Sequence, residues 1–297
     1  MSYWLNFSKK FTSQLINRSL LPFGYQFTRV SRLVSPVHTV SDLTGIVSLK
    51  YENPNRDLVL LVPLEKGRGS PPFSWGKHGS HPFIGLLQRA LSETSKNERR
   101  TSISSDLHEY FSGFVPKDFS ELLGLPFKTS PNIARLKPWE GPLPWEPLSQ
   151  SKSRQTSFGD VARHEGFQHG FHLTMEDGWT WCGPVSNKKL ELETKRLGSL
   201  LERVERYGFR RSNLDDGDIR GVILAKETGD WVWQSFSGQH RAAVLSALGL
   251  EVAPVRVNNI IWAHEAVSWP WVVSGEYSVD DALAVFDRVF SGAPSSA

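Results

Sequence analysis

Residues 231–257 constrain the fold of this chain more than any other stretch of the sequence. Aromatic and β-branched residues, then a glycine turn, a helix-forming run and a second β-branched run predict a strand–helix–strand unit. The predicted elements are, in order, a strand (Trp231–Phe236), a turn (Ser237 and Gly238), a helix (Ala242–Leu248) that ends at Gly249, and an extended segment (Val252–Val257).

The predicted turn favours an anion-binding site. The first backbone N–H groups of a helix have no partners within the helix, and the helix dipole makes this end positive. His240 and Arg241 lie beside the turn in the sequence. A phosphate group is therefore the expected ligand. The alternative is an ordinary connection between a strand and a helix with a solvated basic terminus, and the sequence leaves both interpretations open.

The spelling of this segment resembles the ParB/sulfiredoxin superfamily, whose phosphate-binding motif reads Gly-x-[His/Arg]-Arg-x-x-Ala-x-x-x-x-Gly before a Pro-Val strand. Gly238, His240, Arg241 and Gly249 occupy the matching places, while Val244 stands where the motif has alanine. A predicted helix that ends in Tyr-Gly-Phe at 207–209, followed by a strand, matches the upstream order of the family. The resemblance covers about residues 184–258 and implies a ParB/sulfiredoxin-like α/β domain.

This sequence excludes one activity of that superfamily and makes a second one unexpected. Sulfiredoxins use a cysteine thiolate between the glycine and the histidine, where this chain has Gln239, and its single cysteine is Cys182. Partition ParB proteins add a helix-turn-helix domain and a dimerisation domain, but 40 residues follow Val257. The resemblance therefore favours a small-molecule kinase: a protein that binds a nucleotide and transfers a phosphoryl group to a sugar or amino-acid derivative. A non-catalytic nucleotide sensor is the alternative, and a DNA-associated ParB relative is a weaker one.

The candidate catalytic residues are two glutamates and a histidine. Leucine and valine residues at helical spacing predict a helix over Asn187–Tyr207. The superfamily kinases are proposed to use a helix-borne glutamate as the base, which this resemblance assigns to Glu191 or Glu193. Both acids are also explained as solvated residues near a helix start, where the dipole favours them. His240 is expected to neutralise charge that develops in the transition state.

The predicted ligands are ATP or another nucleoside phosphate, together with Mg²⁺. Carboxylates beside the phosphates suit Mg²⁺, although an acidic surface loop is usually only a solvated turn. The expected phosphate-binding residues are Ser237, Gly238, Gln239, His240, Arg241 and Arg220, and the expected metal ligands are Asp215, Asp216 and Asp218.

The sequence predicts a boundary at residue 157, with a mostly helical, irregular N-terminal region (1–157) before the superfamily-like domain (158–297). Within the first region, Leu58–Pro63 predicts a strand, Phe83–Leu91 a helix, 92–105 an exposed linker and 125–149 an extended proline-rich arm.

Charge and composition bear on partners and location. The formal net charge of +3 makes nucleic acid an unlikely partner. Residues 1–32 are basic and amphipathic, which favours either a peripheral membrane contact or a helix docked on its own domain. The whole chain also resembles bacterial proteins encoded among surface-glycan biosynthesis genes. A cytoplasmic protein, with a peripheral contact at the inner membrane face, is therefore expected.

Overall fold

The chain is described here by a computed structural model covering residues 35–151, 159, 162–163, 166–167, 170–211 and 218–293. In this part of the chain a six-stranded mixed sheet has the strand order β1-β2-β6-β4-β5-β3. The protein is therefore an α/β protein, as predicted. The strands are β1 (Val37–Thr39), β2 (Leu58–Pro63), β3 (Gly67–Arg68), β4 (Ile219–Ala225), β5 (Trp231–Ser237) and β6 (Val252–Trp262).

The helices surround this sheet. They are α1 (Leu43–Glu52), α2 (Pro82–Ser92), α3 (Lys96–Gly113), α4 (Phe119–Leu123), α5 (Pro131–Ala134), α6 (Leu148–Ser151), α7 (Asn187–Tyr207), α8 (Gln239–Ala247), α9 (Pro270–Val273) and α10 (Val279–Ser291).

The centre of the sheet joins sequence-distant strands. β4 pairs with β5 in the antiparallel direction and with β6 in the parallel direction. β2 pairs with β6, with Leu58 opposite Val257 and Pro63 opposite Val252. Residues on both sides of the predicted boundary at residue 157 therefore contribute strands to one sheet. The N-terminal region is less exclusively helical than expected, since it supplies β1, β2 and β3.

The two faces of the sheet pack against different hydrophobic clusters because successive strand residues point to opposite sides. On one face, Ile219, Ile223 and Trp233 join residues of α2, α3, α7 and α8. On the other face, Leu224 and Val232 join α4 and α10. Helix α8, which follows the glycine turn, therefore belongs to the first face.

Helix α7 has the predicted bounds. The side chain of Ser186 accepts a hydrogen bond from the Lys189 amide at its start, and the helix ends at Gly208, whose φ is +69°. Serine at the N-cap and a glycine with positive φ at the C-cap are typical of the start and the end of a helix. Its buried stripe includes Leu197, Leu201 and Val204, which fixes the orientation of the helix over the sheet.

Three local predictions are wrong in part or in full. The predicted extended arm, 125–149, contains the short helix α5 (Pro131–Ala134). Residues 92–105 are not a linker, because most of them belong to α3, whose start is a capping box formed by Ser95 and Glu98. The apolar residues Ile103, Leu107 and Phe111 recur every four positions and bury one side of this polar helix. Helix α8 begins at Gln239 rather than at Ala242. The predicted membrane contact through residues 1–32 lies outside the described residues.

Within the described part of the chain, no helix is both long and apolar enough to cross a bilayer.

Candidate functional site

The turn before α8 requires glycine at position 238. Gly238 has φ +79° and ψ 19°, the left-handed conformation that disfavours other residues. A Cβ atom there would lie 2.9 Å from the Cα of Ile219 and 3.2 Å from the carbonyl oxygen of Asp218. The amides of Arg241 and Ala242 donate to the Gly238 carbonyl at 2.9 and 3.1 Å. The turn therefore packs against the start of β4 and begins the helix at once.

Gln239, the first residue of α8, fixes a second loop against the turn. Its buried side-chain oxygen Oε1 accepts a hydrogen bond from the Ser70 amide at 2.9 Å. The side chain thus links the turn to the segment that follows β3. The backbone amide of Gln239, at the start of α8, suits the predicted phosphate contact.

His240 is bonded to the buried carboxylate of Glu193. Its Nε2 lies 2.6 Å from Oε2 of Glu193, on the middle of α7. The other carboxylate oxygen, Oε1, is 2.9 Å from Lys189 Nζ and 3.2 Å from Arg196, and it accepts a 3.4 Å hydrogen bond from the Thr180 hydroxyl. The Glu193 side chain has no exposed surface. The structure therefore brings two of the three predicted catalytic residues into contact.

The surroundings of Glu193 keep it ionised. Burial by itself raises the pKa of this carboxyl, but the charges of Lys189, Arg196 and His240 outweigh burial and bring the pKa well below its ordinary value. An ionised carboxylate only accepts hydrogen bonds, so the Nε2–H of His240 is the donor. In the neutral imidazole, the basic nitrogen is then Nδ1.

Aromatic rings hold His240 in place. The centroid of its ring lies 5.4 Å from a ring of Trp181 and 5.9 Å from Phe83. Phe83 lies in the first turn of α2, next to the cap residue His81, a buried histidine whose Nδ1 accepts a hydrogen bond from the Phe83 amide. Burial and, secondarily, the charge of His240 bring the pKa of His81 well below its ordinary value. The region around His240 is therefore tightly packed on three sides.

Glu191 does not join this group. It is exposed on α7, and its Oε1 is 3.8 Å from Arg100 of α3. It lines an open polar groove between α3 and α7, together with residues such as Asn97, Ser104 and His108. Residues two positions apart in a helix are separated by about 200° around its axis, so Glu191 and Glu193 point to different sides. Glu193 is the acid that the structure places beside His240.

Arg220 and Ser237 are cross-strand neighbours, as the predicted site requires, and Arg220 is also paired with Arg256 of β6. Arg220 alternates with Ile219, which packs on the face of α8. It therefore emerges on the opposite face of the sheet, beside the turn but away from His240.

Asp218, one of the three predicted metal ligands, forms ion pairs with two arginines. One carboxylate oxygen accepts from Arg211 at 2.9 Å, and the other accepts from Arg211 at 3.2 Å and from Arg256 at 3.0 and 2.6 Å. Burial raises its pKa, but the two arginines outweigh this and lower it. Asp215 and Asp216 lie outside the described residues. Within these, no three His, Cys, Asp or Glu side chains form a group suited to a metal ion.

Sequence reasoning missed Lys189, one of the two cations that contact Glu193. Lys189 and Arg196 lie four residues before and three residues after it, so helical spacing alone places them on its side. The Lys189 side chain is only 4% exposed. Lysines are rarely buried to this extent unless they are paired with an acid, as Lys189 is with Glu193. His81 and Trp181 carried no recognisable signal, since their position depends on contacts between distant segments.

Comparisons of the chain with protein-family models, with curated proteins and with solved structures found no match. The resemblance to the ParB/sulfiredoxin superfamily therefore stays a prediction that rests on the residues of the glycine turn.

Proposed function

We propose that this protein binds a nucleoside triphosphate at the Gly238 turn and transfers its terminal phosphoryl group to a small hydroxyl-bearing substrate. The observation that carries the proposal is the contact between His240, on the first turn of α8, and the buried Glu193 carboxylate. This contact places a histidine suited to proton transfer at a helix terminus suited to phosphate binding.

The charges around the turn favour an anion. Glu193 is the carboxylate of a cluster that also contains the basic side chains of Lys189 and Arg196. Arg241 adds a further positive charge on the first turn of α8. The amides of Gln239 and His240 lie at the positive end of the helix. Phosphate oxygens at this place would gain both hydrogen bonds and charge neutralisation.

His240 is the proposed general base. Its Nδ1 takes the proton of the substrate hydroxyl while that oxygen forms a bond to the terminal phosphorus, and the bond from phosphorus to the bridging oxygen of the nucleoside diphosphate breaks. Glu193 is a positioning residue: it fixes the tautomer of His240 and stabilises the imidazolium that forms. Arg241 offsets the charge that develops on the phosphoryl oxygens. The imidazolium then releases its proton to solvent.

Mg²⁺, bound with the nucleotide, would neutralise phosphate charge. Asp215 and Asp216 stay the predicted ligands for this ion. The sugar or amino-acid substrate, a location in the cytoplasm and the contact of residues 1–32 with a membrane surface are likewise parts of the proposal.

Binding is tested by calorimetry with ATP and with CTP, in the presence and absence of Mg²⁺. We expect Arg241→Ala to weaken nucleotide binding at least 10-fold, because a charge-assisted contact to phosphate is lost. The control is Arg203→Ala, which removes an exposed arginine from α7. Unchanged affinity in the Arg241 variant would show that the phosphate groups bind elsewhere.

Catalysis is tested separately with His240→Gln. We expect nucleotide affinity to stay within about threefold of the wild type, and nucleotide turnover with a pool of hydroxyl-bearing metabolites to fall at least 100-fold. A wild-type protein that binds nucleotide but never turns it over would instead be the nucleotide sensor. Salt-dependent retention on DNA would support the DNA-associated alternative.

A further inference from the structure

The strand that leads into the Gly238 turn contains a β-bulge at Phe236. Arg220 of β4 is paired with Ser237, but the next residue, Gly221, is paired with Ser235. Phe236 is therefore the extra residue of β5, without a register partner on β4. Gly221 permits the close approach of the two strands, because a Cβ atom there would lie 2.3 Å from the carbonyl oxygen of Gln234.

The bulge residue Phe236 is the exposed aromatic residue of β5. Trp231 and Trp233, two residues apart, are 4% and 0% exposed. Regular alternation from these residues predicts burial at 235, and Ser235 is indeed buried. Phe236 is 53% exposed.

Phe236 lies close in the chain to the proposed phosphate site. Phe236 precedes Gly238 by two residues, so their Cα atoms are at most about 7.6 Å apart. The ribose and the first phosphate of a nucleotide span a separation of this order. A planar base attached to phosphates that bind at residues 238–241 can therefore reach the Phe236 ring.

We propose that Phe236 is the stacking platform for the base of a nucleoside polyphosphate. This inference rests on the proposed function, because it requires the phosphates to bind at the Gly238 turn. Every base has a π-face, so stacking on a single phenylalanine gives affinity with little discrimination among bases. The ligand class is then a nucleoside polyphosphate with a weakly selected base, and inorganic polyphosphate is the matching ligand without a base.

The test compares ATP, CTP and inorganic tripolyphosphate by calorimetry on the full chain with Mg²⁺. In Phe236→Ala, we expect the affinity for ATP and for CTP to fall about 10- to 100-fold, the range for loss of a base-stacking aromatic. Affinity for tripolyphosphate should change less than twofold. Phe236→Trp should restore nucleotide binding. Tyr207→Ala is the matched control, since Tyr207 is 54% exposed at the far end of α7, and it should alter none of the affinities.

The outcomes separate the two proposals. If wild-type protein binds tripolyphosphate and Phe236→Ala leaves nucleotide affinity unchanged, the stacking role is wrong and the phosphate site stands. An equal loss for tripolyphosphate and nucleotide would show that Phe236 supports the shape of the turn, which also overturns the stacking role. If neither ligand binds the wild type, the phosphate site itself is wrong and the stacking role is wrong with it.

Discussion

Two buried carboxylates lie on opposite faces of the same sheet, and each is bonded to two cationic residues. Glu193 contacts Lys189 and Arg196. Asp218 contacts Arg211 and Arg256. The Glu193 cluster also includes His240 and is shared between α7 and α8. The Asp218 cluster ties β4 to β6 and to the segment after α7.

The two clusters differ in their capacity to move a proton. Arginine stays protonated at any pH that a folded protein experiences. The cations described around Asp218 are both arginines, so that cluster carries a fixed charge and suits a structural role. Around Glu193, an imidazole lies within hydrogen-bond distance of the carboxylate. A fixed carboxylate beside a titratable ring suits acid–base chemistry, and this contrast is why we place catalysis at Glu193 and His240.

The largest effect is expected for Glu193→Gln. This change leaves Lys189 buried without its carboxylate, and removal of one partner of a buried ion pair costs about 3–5 kcal/mol. Urea denaturation at pH 7 measures the loss in the free energy of unfolding. Because the folded pKa of Glu193 is lowered, its contribution is complete above its ordinary value of 4.5 and is lost as the pH falls through the lower folded value. The gap between wild type and variant should therefore close in acid.

A double variant tests whether the unpaired charge of Lys189 causes this loss of stability. Lys189→Met in the Glu193→Gln background removes the buried charge and should recover part of the lost stability. If the double variant is less stable than Glu193→Gln alone, the pairing of these two side chains does not explain the first effect.

A smaller effect is expected for Asp218→Asn, about 2 kcal/mol, because both arginines are partly exposed and water can solvate them. Urea denaturation measures it. The Mg²⁺ dependence of nucleotide affinity should remain, since Asp218 is a structural residue in this interpretation. If Asp218→Asn loses the Mg²⁺ dependence of nucleotide affinity but keeps its stability, Asp218 is a metal ligand. The Asp218 cluster would then not be purely structural, contrary to the comparison made above.

The smallest effect concerns pH and His81, which lies beside the Glu193 cluster. The folded pKa of His81 is lowered, so the unfolded chain binds a proton more readily below the ordinary value of 6.5. Its stabilising contribution is complete above pH 6.5 and is lost as the pH falls. From pH 6.5 to 5.5 the wild type should lose about 1 kcal/mol through this group.

Urea denaturation at a series of pH values checks this expectation. His81→Gln should flatten the dependence between pH 6.5 and 5.5, while His108→Gln, on an exposed histidine of α3, should leave it unchanged. Equal slopes in the wild type and the His81 variant would contradict a buried neutral His81.

Local patterns predicted elements well where short-range signals agreed. β2 and α7 have the predicted bounds, because an apolar run specifies the strand and a helical stripe with caps specifies the helix. The first part of helix α3, residues 96–105, was missed because its residues are mostly polar, although Ser95 and Glu98 carry a capping box. Its helical state depends on burial of Ile103 and Leu107 against neighbouring helices, which a local pattern weighs too little.

The sequence by itself determined the glycine turn, the start of a helix beside two basic residues and the presence of acids on α7. Helical geometry also separates Glu191 from Glu193, whatever the fold. Only the tertiary structure decided which of the two acids faces inward, since that depends on how α7 packs over the sheet. It also joined Glu193 to His240, 47 residues later, and joined Asp218 to Arg256, 38 residues later. Contacts at such separations are set by the packing of whole elements, which no local pattern contains.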